Sequence, residues 1–214
     1  MDLSDLRKDY NLDTLELEDA LPNGIDQFKR WMEVAVKSNE IEPNAVVLST
    51  VDHKNHPDAR TILLKGIENE KLSFYTNYNS VKGKQIEDNQ SGHLLFMWLT
   101  LHRQVRIKGT IVKMTKEQSQ GYYNSRPRGS QIGAWSSPQS EVISDRKILE
   151  KQVEFYAKKF ENTKKIPIPE FWGGYYLIPH ELEFWQGRTS RLHDRLRYQL
   201  NTTDNSWTIE RLAP

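Results

Sequence analysis

Ala45-Val46-Val47-Leu48-Ser49-Thr50-Val51, Arg60-Thr61-Ile62-Leu63-Leu64-Lys65-Gly66-Ile67 and Lys71-Leu72-Ser73-Phe74-Tyr75-Thr76-Asn77 are three consecutive runs rich in β-branched and aromatic residues. His56-Pro57 and Glu68-Asn69 lie between them, and residues of that kind mark turns between strands. The same reading extends forward to strands at 93–99 and 103–114, and then to 174–178, 181–186, 191–200 and 207–212. Short strands with short connections predict an antiparallel barrel and not a parallel βαβ sheet.

Helical spacing is confined to the periphery. From Ile25, the residues Phe28, Trp31, Met32, Ala35 and Val36 recur as one apolar stripe that must end before Pro43. Ser80 is placed to cap a short helix to Asn89, another is expected at 116–124, and a longer charged one at about 144–160. The stretch 126–138, with its glycines and prolines, reads as a loop. The fold class expected is therefore mainly β, antiparallel, with peripheral helices. Residues 1–24 are polar and punctuated by Pro22-Asn23-Gly24, which predicts an arm able to close a site, and 25–214 reads as one domain.

Bulk properties narrow the function classes. A net charge of +1 and a pI near 7.9 provide no global field for nucleic acid, so a barrel stacking single-stranded RNA on its aromatics is disfavoured. The absence of cysteine excludes disulfides, thiolate zinc sites and thiol catalysis, so redox chemistry would need a cofactor. No apolar run approaches a signal h-region or membrane span, which leads us to expect a cytoplasmic protein with no membrane partner. The six histidines lack an HExxH spacing, and GxSxG, GxGxxG and P-loop patterns are all missing.

Several segments can carry chemistry. If 191–198 is a strand, its pleat sends Arg191, His193, Arg195 and Arg197 to one face, next to the aromatic pair Phe184-Trp185. Such a cationic face calls for solvent or an anionic ligand. Arg60 and Lys65 bracket an apolar strand centre, and Phe74 to Asn77 runs into Ser80 with Lys82 and Lys84 behind it, a credible phosphate cradle at a helix start. Gln104 can read the edge of a heterocycle. The segment Tyr122-Tyr123-Asn124-Ser125-Arg126-Pro127-Arg128-Gly129-Ser130 offers guanidinium forks and hydroxyls that match phosphate geometry, and Gln139-Ser140 continue that donor-rich stretch.

Together these residues resemble a known family, the FMN-dependent pyridoxine (pyridoxamine) 5′-phosphate oxidases of vitamin B6 metabolism. The resemblance rests on Leu182-Glu183-Phe184-Trp185-Gln186 followed, after four residues, by Arg191-Leu192-His193-Asp194-Arg195. It extends to 60–65, Tyr75-Thr76, Ser125-Arg126-Pro127-Arg128, Gln131 to Trp135, Phe171 to Gly174 and the ending Arg211-Leu212-Ala213-Pro214. It implies an FMN-binding split β-barrel homodimer with FMN at the subunit interface. FMN contacts would be Arg60, Thr61, Ile62, Leu63, Leu64, Lys65, Tyr75, Thr76, Lys82, Gln104, Gln139, Ser140, Trp185 and Arg195. Substrate contacts would be Lys65, Tyr122, Arg126 and Ser130 around a phosphate, with Arg191 and His193 as the catalytic pair at the pyridine ring. Arg7 and Tyr10 would belong to an N-terminal arm folding over the substrate. One departure stands out: Val81-Lys82 follows the serine where the family usually has Arg-Lys. The implied reaction oxidises the phosphorylated alcohol or amine to pyridoxal 5′-phosphate, with O2 as acceptor, H2O2 released, and ammonia lost from the amine. A related split-barrel enzyme of the flavin reductase type is the alternative.

Overall fold

The computed structural model describes residues 1–6 and 9–214. Helix α1 (Gly24–Lys37) begins where the Asn23 side chain accepts hydrogen bonds from the backbone N–H groups of Ile25 and Asp26, the usual way to satisfy orphan donors at a helix start. Ile25, Phe28, Trp31 and Ala35 pack into the main core with Met32 at its margin. Val36 is 62% exposed, so the buried stripe is narrower than the periodicity predicts.

Nine antiparallel strands follow: β1 (Ala45–Val51), β2 (Pro57–Leu63), β3 (Gly66–Glu68), β4 (Lys71–Asn77), β5 (Ser91–Trp98), β6 (Arg103–Lys113), β7 (Trp172–Gln186), β8 (Asp194–Leu200) and β9 (Trp207–Leu212). Their order is β2-β1-β5-β6-β7-β4-β3, with β8 added to β7 and β9 to β8. The sheet divides at β7, which pairs with β6 along most of its length. Its first part pairs with β4 on its other side and its last part with β8. At the junction Gly109 faces Pro179 and Lys108 faces Glu181, so His180 is an extra residue on β7. Proline has no N–H to give a ladder, and a bulge is where a strand tolerates it. The two strands expected at 174–178 and 181–186 are thus one bent strand. The result is a curled, split antiparallel barrel closed over by α1, with Leu48, Leu94, Phe96, Ile107, Leu182, Phe184 and Tyr198 fully buried inside.

Three expectations change. The run 60–67 breaks after Leu63: the Leu64 amide donates to the Asn44 carbonyl, the Lys65 amide donates to that of Ser73, and the Leu64 side chain turns into the core. The strand expected from Arg191 starts only at Asp194, because Ser190 and Arg191 adopt φ of 56° and 61°. Left-handed backbone breaks the pleat, so Arg191 and His193 do not continue the strand face of Arg195 and Arg197. Finally, the presumed loop at 126–138 holds helix α4 (Arg128–Ser136). Pro127 at its start forgoes an N–H that would have no partner anyway, and the cost of two glycines, about 1 kcal/mol each, is offset by burial of Ile132 and Ala134 in two small clusters.

The remaining helices sit where the sequence places them. In α2 (Val81–Asp88) the Gly83 amide donates to the capping Ser80 hydroxyl, and a Cβ on Gly83 would stand 2.1 Å from the Tyr78 carbonyl oxygen. Helix α3 (Lys116–Ser125) opens with a Thr115/Gln118 capping box, and α5 (Lys147–Lys159) lies against α4. No helix among the described residues is long and apolar enough to cross a membrane.

Candidate active site

A cleft of about 830 Å³ opens beside β2 and β4. Strand β2 lends it Arg60, Thr61, Ile62 and Leu63, and Lys65 follows on the connection to β3. Tyr75 and Thr76 come from β4, Lys82 from α2, and Tyr122, Arg126 and Ser130 from the α3–α4 corner, with Gln139 and Trp172 completing the wall. Its charged lining residues are four cations and no carboxylate.

The four cations are not equivalent. Arg60 is tied down, with Nη1 donating to the Leu48 carbonyl and Thr50 Oγ1, and Nη2 to Asp58 (2.6 Å) and Gln85 Oε1 (2.9 Å). Burial works to raise the Asp58 pKa, yet the Gln85 hydrogen bond and Arg60 hold its carboxyl below the usual range. Lys82 is 8% exposed and makes no ion pair among the described residues; burial, then Arg60, depresses its pKa. Arg126 is the extreme case, since its Nη1 is buried with no hydrogen-bond partner. Its guanidinium lies 4.6 Å from the Trp172 ring centroid, and burial lowers its pKa too. A buried donor without a partner costs about 1–3 kcal/mol, more when charged, so the cleft is preorganised for an anion.

Flat surfaces complete it. Tyr75 and Tyr122 stack at 3.9 Å with 21° between planes, and Trp172 is nearly parallel to both. Burial pushes the Tyr75 hydroxyl up to about 12, so it remains a donor at neutral pH. Gln139 Oε1 accepts from Thr76 Oγ1 and the Asn77 amide, which leaves its NH2 for a ligand. A buried cation, a stack of rings and an edge-reading amide fit a phosphorylated planar heterocycle such as FMN. Lys84 is exposed and off the wall, so Lys82 is the cation that α2 provides. Ser140 (φ 73°) is exposed beside Gln139, and Leu64 faces inward; neither side chain lines the cleft.

A second cleft, about 620 Å³, is lined by Leu6, Asp9, Tyr10, Arg188, Ser190, Arg191 and His193. Tyr10 packs on His102 (4.5 Å between centroids), Trp185 and His193, and Trp185 lies 4.6 Å from His193. The Arg188 backbone N–H donates to His193 Nδ1 at 3.1 Å. The neutral imidazole therefore carries its proton on Nε2. Burial, then Arg191, lowers the His193 pKa against a smaller opposing effect of Asp194. Two successive left-handed residues at 190 and 191 are strained, and strain of this kind collects at functional sites.

Gln104, Trp185 and Arg195 are cross-strand neighbours on β6, β7 and β8. Arg195 donates through Nε to Glu183 and through Nη1 to the Ala213 carbonyl, which leaves Nη2 free. No described residue lines both clefts: Arg126 and Lys82 line the first, Arg191 and His193 the second. Arg7 lies outside the described residues. Sequence reasoning did not find the Asp58–Arg60–Gln85 network, the stacking role of Trp172, or His102, because each depends on a neighbour far along the chain.

Comparison with known proteins agrees with this geometry. Residues 32–158 match a family described as "Pyridoxamine 5′-phosphate oxidase", and residues 172–214 match "Pyridoxine 5′-phosphate oxidase C-terminal dimerisation region". A pyridoxine/pyridoxamine 5′-phosphate oxidase of Paraburkholderia phymatum is 49% identical over 99% of both chains. One from Rippkaea orientalis is 47% identical over the full length of both. Among solved structures, PhzG of Burkholderia lata in complex with tetrahydrophenazine-1-carboxylic acid superposes with a TM-score of 0.87 at 27% identity, over 95% of this chain and 99% of that one. A pyridoxamine 5′-phosphate oxidase-related, FMN-binding protein of Nostoc punctiforme shares the fold, with a TM-score of 0.72 at 16% identity over 91% of this chain and 100% of that one.

Proposed function

This chain belongs to the pyridoxamine 5′-phosphate oxidase family and is an FMN-dependent oxidoreductase, and we propose that it oxidises pyridoxine 5′-phosphate or pyridoxamine 5′-phosphate to pyridoxal 5′-phosphate. The observation that carries this reading is a cleft whose charged lining residues are all cations, among them the half-buried Arg126, whose Nη1 has no hydrogen-bond partner among the described residues. A phosphate ester is the ligand that satisfies it, because its oxygens accept the fork that no protein group takes.

Lys65, Tyr122, Arg126 and Ser130 hold the substrate phosphate. FMN is held by Arg60, Thr61, Ile62, Leu63, Lys65, Tyr75, Thr76, Lys82 and Gln139, together with Gln104, Trp185 and Arg195, while Leu64 and Ser140 have only backbone groups to offer it. Gln104, Trp185 and Arg195, like Arg191 and His193, lie away from the large cleft of their own chain. A homodimer resolves this: the Trp185–Arg195 surface of one copy completes the large cleft of the other, with FMN at the interface. The match of residues 172–214 to a dimerisation region supports that arrangement.

FMN bound there would supply the redox chemistry, a two-electron oxidation at the substrate C4′ carbon with O2 as final acceptor and H2O2 as its product. The chain's own task is positioning. The phosphate clamp fixes one end of the substrate. Arg191 and the His193 Nε2–H hold the pyridine ring and its 4′ substituent at the other. His193 stays neutral near pH 7, so it acts as a directed donor. The free Arg195 Nη2 stabilises negative charge that develops on the cofactor side. Tyr10 covers Trp185 and His193 and shields the reacting rings from water.

The test is anaerobic mixing of FMN-loaded protein with each phosphate ester. Bleaching of the flavin that air reverses, with H2O2 formed, is the expected result. No bleaching with either ester would remove the reading in favour of a flavin reductase-type enzyme.

A further inference from the structure

Asp194, the first residue of β8, gathers three remote parts of the chain at the edge of the second cleft. Its Oδ2 accepts from Arg188 Nη1 at 2.8 Å and from the Leu15 amide at 3.2 Å, and its Oδ1 accepts from Arg211 Nη1 at 3.0 Å. Arg211 turns its other nitrogen to the Leu15 carbonyl at 3.0 Å and the Glu16 carboxylate at 2.8 Å. Leu15 is thus gripped by both of its backbone groups, N–H and C=O, while its side chain is buried in the main core. Gripping both groups fixes the register of the arm as well as its presence. Five residues before Leu15 comes Tyr10, whose ring meets Trp185 and His193.

The turn is held from the same carboxylate. Arg188, whose guanidinium Asp194 accepts, is the residue whose backbone N–H occupies His193 Nδ1 and so directs the Nε2 proton outward. The Asp194 side chain is 14% exposed, and three charge-assisted or backbone donors on one shielded carboxylate make a firmer joint than a solvated surface pair.

Resting on the oxidase reading above, we propose that Asp194 is a positioning residue for the reaction: it locks the 188–193 turn and the N-terminal arm into one unit, and acts on substrate only through His193 and Tyr10. Arg211 is its accessory, holding the arm on the opposite side of Leu15.

The experiment uses FMN-loaded Asp194→Asn, His193→Asn, the double variant, and Arg211→Gln. Asp194→Asn is expected to lower kcat roughly tenfold, the scale of a lost charged hydrogen bond, with FMN content unchanged and faster hydrogen exchange at the Leu15 amide. In the His193→Asn background the same change should cost distinctly less, the remainder being the part that acts through Tyr10, because coupled residues are not additive. Equal losses in both backgrounds would mean a purely structural tether and would overturn the proposal. So would faster Leu15 exchange with wild-type kcat and KM. If Asp194→Asn does not fold, Arg211→Gln, which keeps the Arg188 bond, carries the same exchange measurement and a smaller loss in kcat; an unchanged kcat with a released arm overturns the proposal there too. A wild-type chain that oxidises neither ester sinks the oxidase reading instead.

Discussion

Gly187 lies directly beneath Tyr10: a Cβ built on Gly187 would stand 2.8 Å from both Cβ and Cγ of the tyrosine. That position is where the arm touches the end of β7, and only a residue without a side chain lets the ring settle there. In Gly187→Ala the arm must move, because overpacking costs about 1–3 kcal/mol and the β7 end is paired on both sides. The expected outcome is a KM for the phosphorylated substrate raised roughly tenfold, the lower part of that cost, with the FMN titration unchanged. An unaltered KM would show that Tyr10 does not cover the bound substrate.

The His193 pKa is depressed below its ordinary 6.5 by burial first and Arg191 second. For a group lowered in this way, the contribution of the neutral ring is fully present above pH 6.5 and is lost as pH falls through the folded value. Protonation places a hydrogen on Nδ1 and ejects the Arg188 N–H. The kcat/KM profile should therefore show an acid limb with an apparent pKa below 6.5 that His193→Asn abolishes. A limb that survives the substitution would belong to another group. His93, half-buried with an unpartnered Nε2 among the described residues and likewise lowered by burial, is the first candidate.

Arg126 and Lys82 are assigned to different anions in the proposed reading, the substrate phosphate and FMN respectively. Neither makes a salt bridge among the described residues, and burial depresses the pKa of both, so replacing either with methionine relieves a desolvation cost that no protein ion pair offsets. Arg126→Met should keep the apo melting temperature while abolishing the rise that pyridoxal 5′-phosphate gives the wild type. Lys82→Met should weaken FMN roughly tenfold in a flavin-fluorescence titration. A fall in apo stability for both would recast these cations as structural.

Arg191 is exposed and lines the second cleft, whereas Lys65, Lys82 and Arg126 line the first. Arg191→Met should lower turnover far more than FMN affinity. Equal loss of both would move Arg191 to the cofactor.

How much of this was legible in the chain depended on distance along it. Strand β1 and the run at 71–77 declare themselves by alternation and composition, and Ser80 by its capping position, because those preferences are local. The α4 helix was hidden because Pro127, Gly129 and Gly133 argue against it locally, while Ile132 and Ala134 gain their burial from Phe160, Ile166, Tyr123 and Trp172, residues in other segments. The break at Ser190 and Arg191 was invisible for a related reason. Neither residue favours left-handed backbone, and both are held there by the Thr189 carbonyl accepting from Leu192 and by His193 Nδ1 accepting from Arg188. For the site, side-chain type pointed to Arg126, Lys82, Arg191 and His193, but whether each cation already had a partner could only come from the fold. Arg60 has four acceptors and Arg126 Nη1 has none.

The fifteen residues of β7 carry Trp172 of the phosphate cleft near one end and Trp185 of the ring-facing surface near the other. Deleting or inserting one residue between them would slide one surface past the other by about 3.3 Å and turn every later side chain over. One strand therefore sets the distance between Trp172 and Trp185, and the extra residue at His180 sets which way each side chain faces.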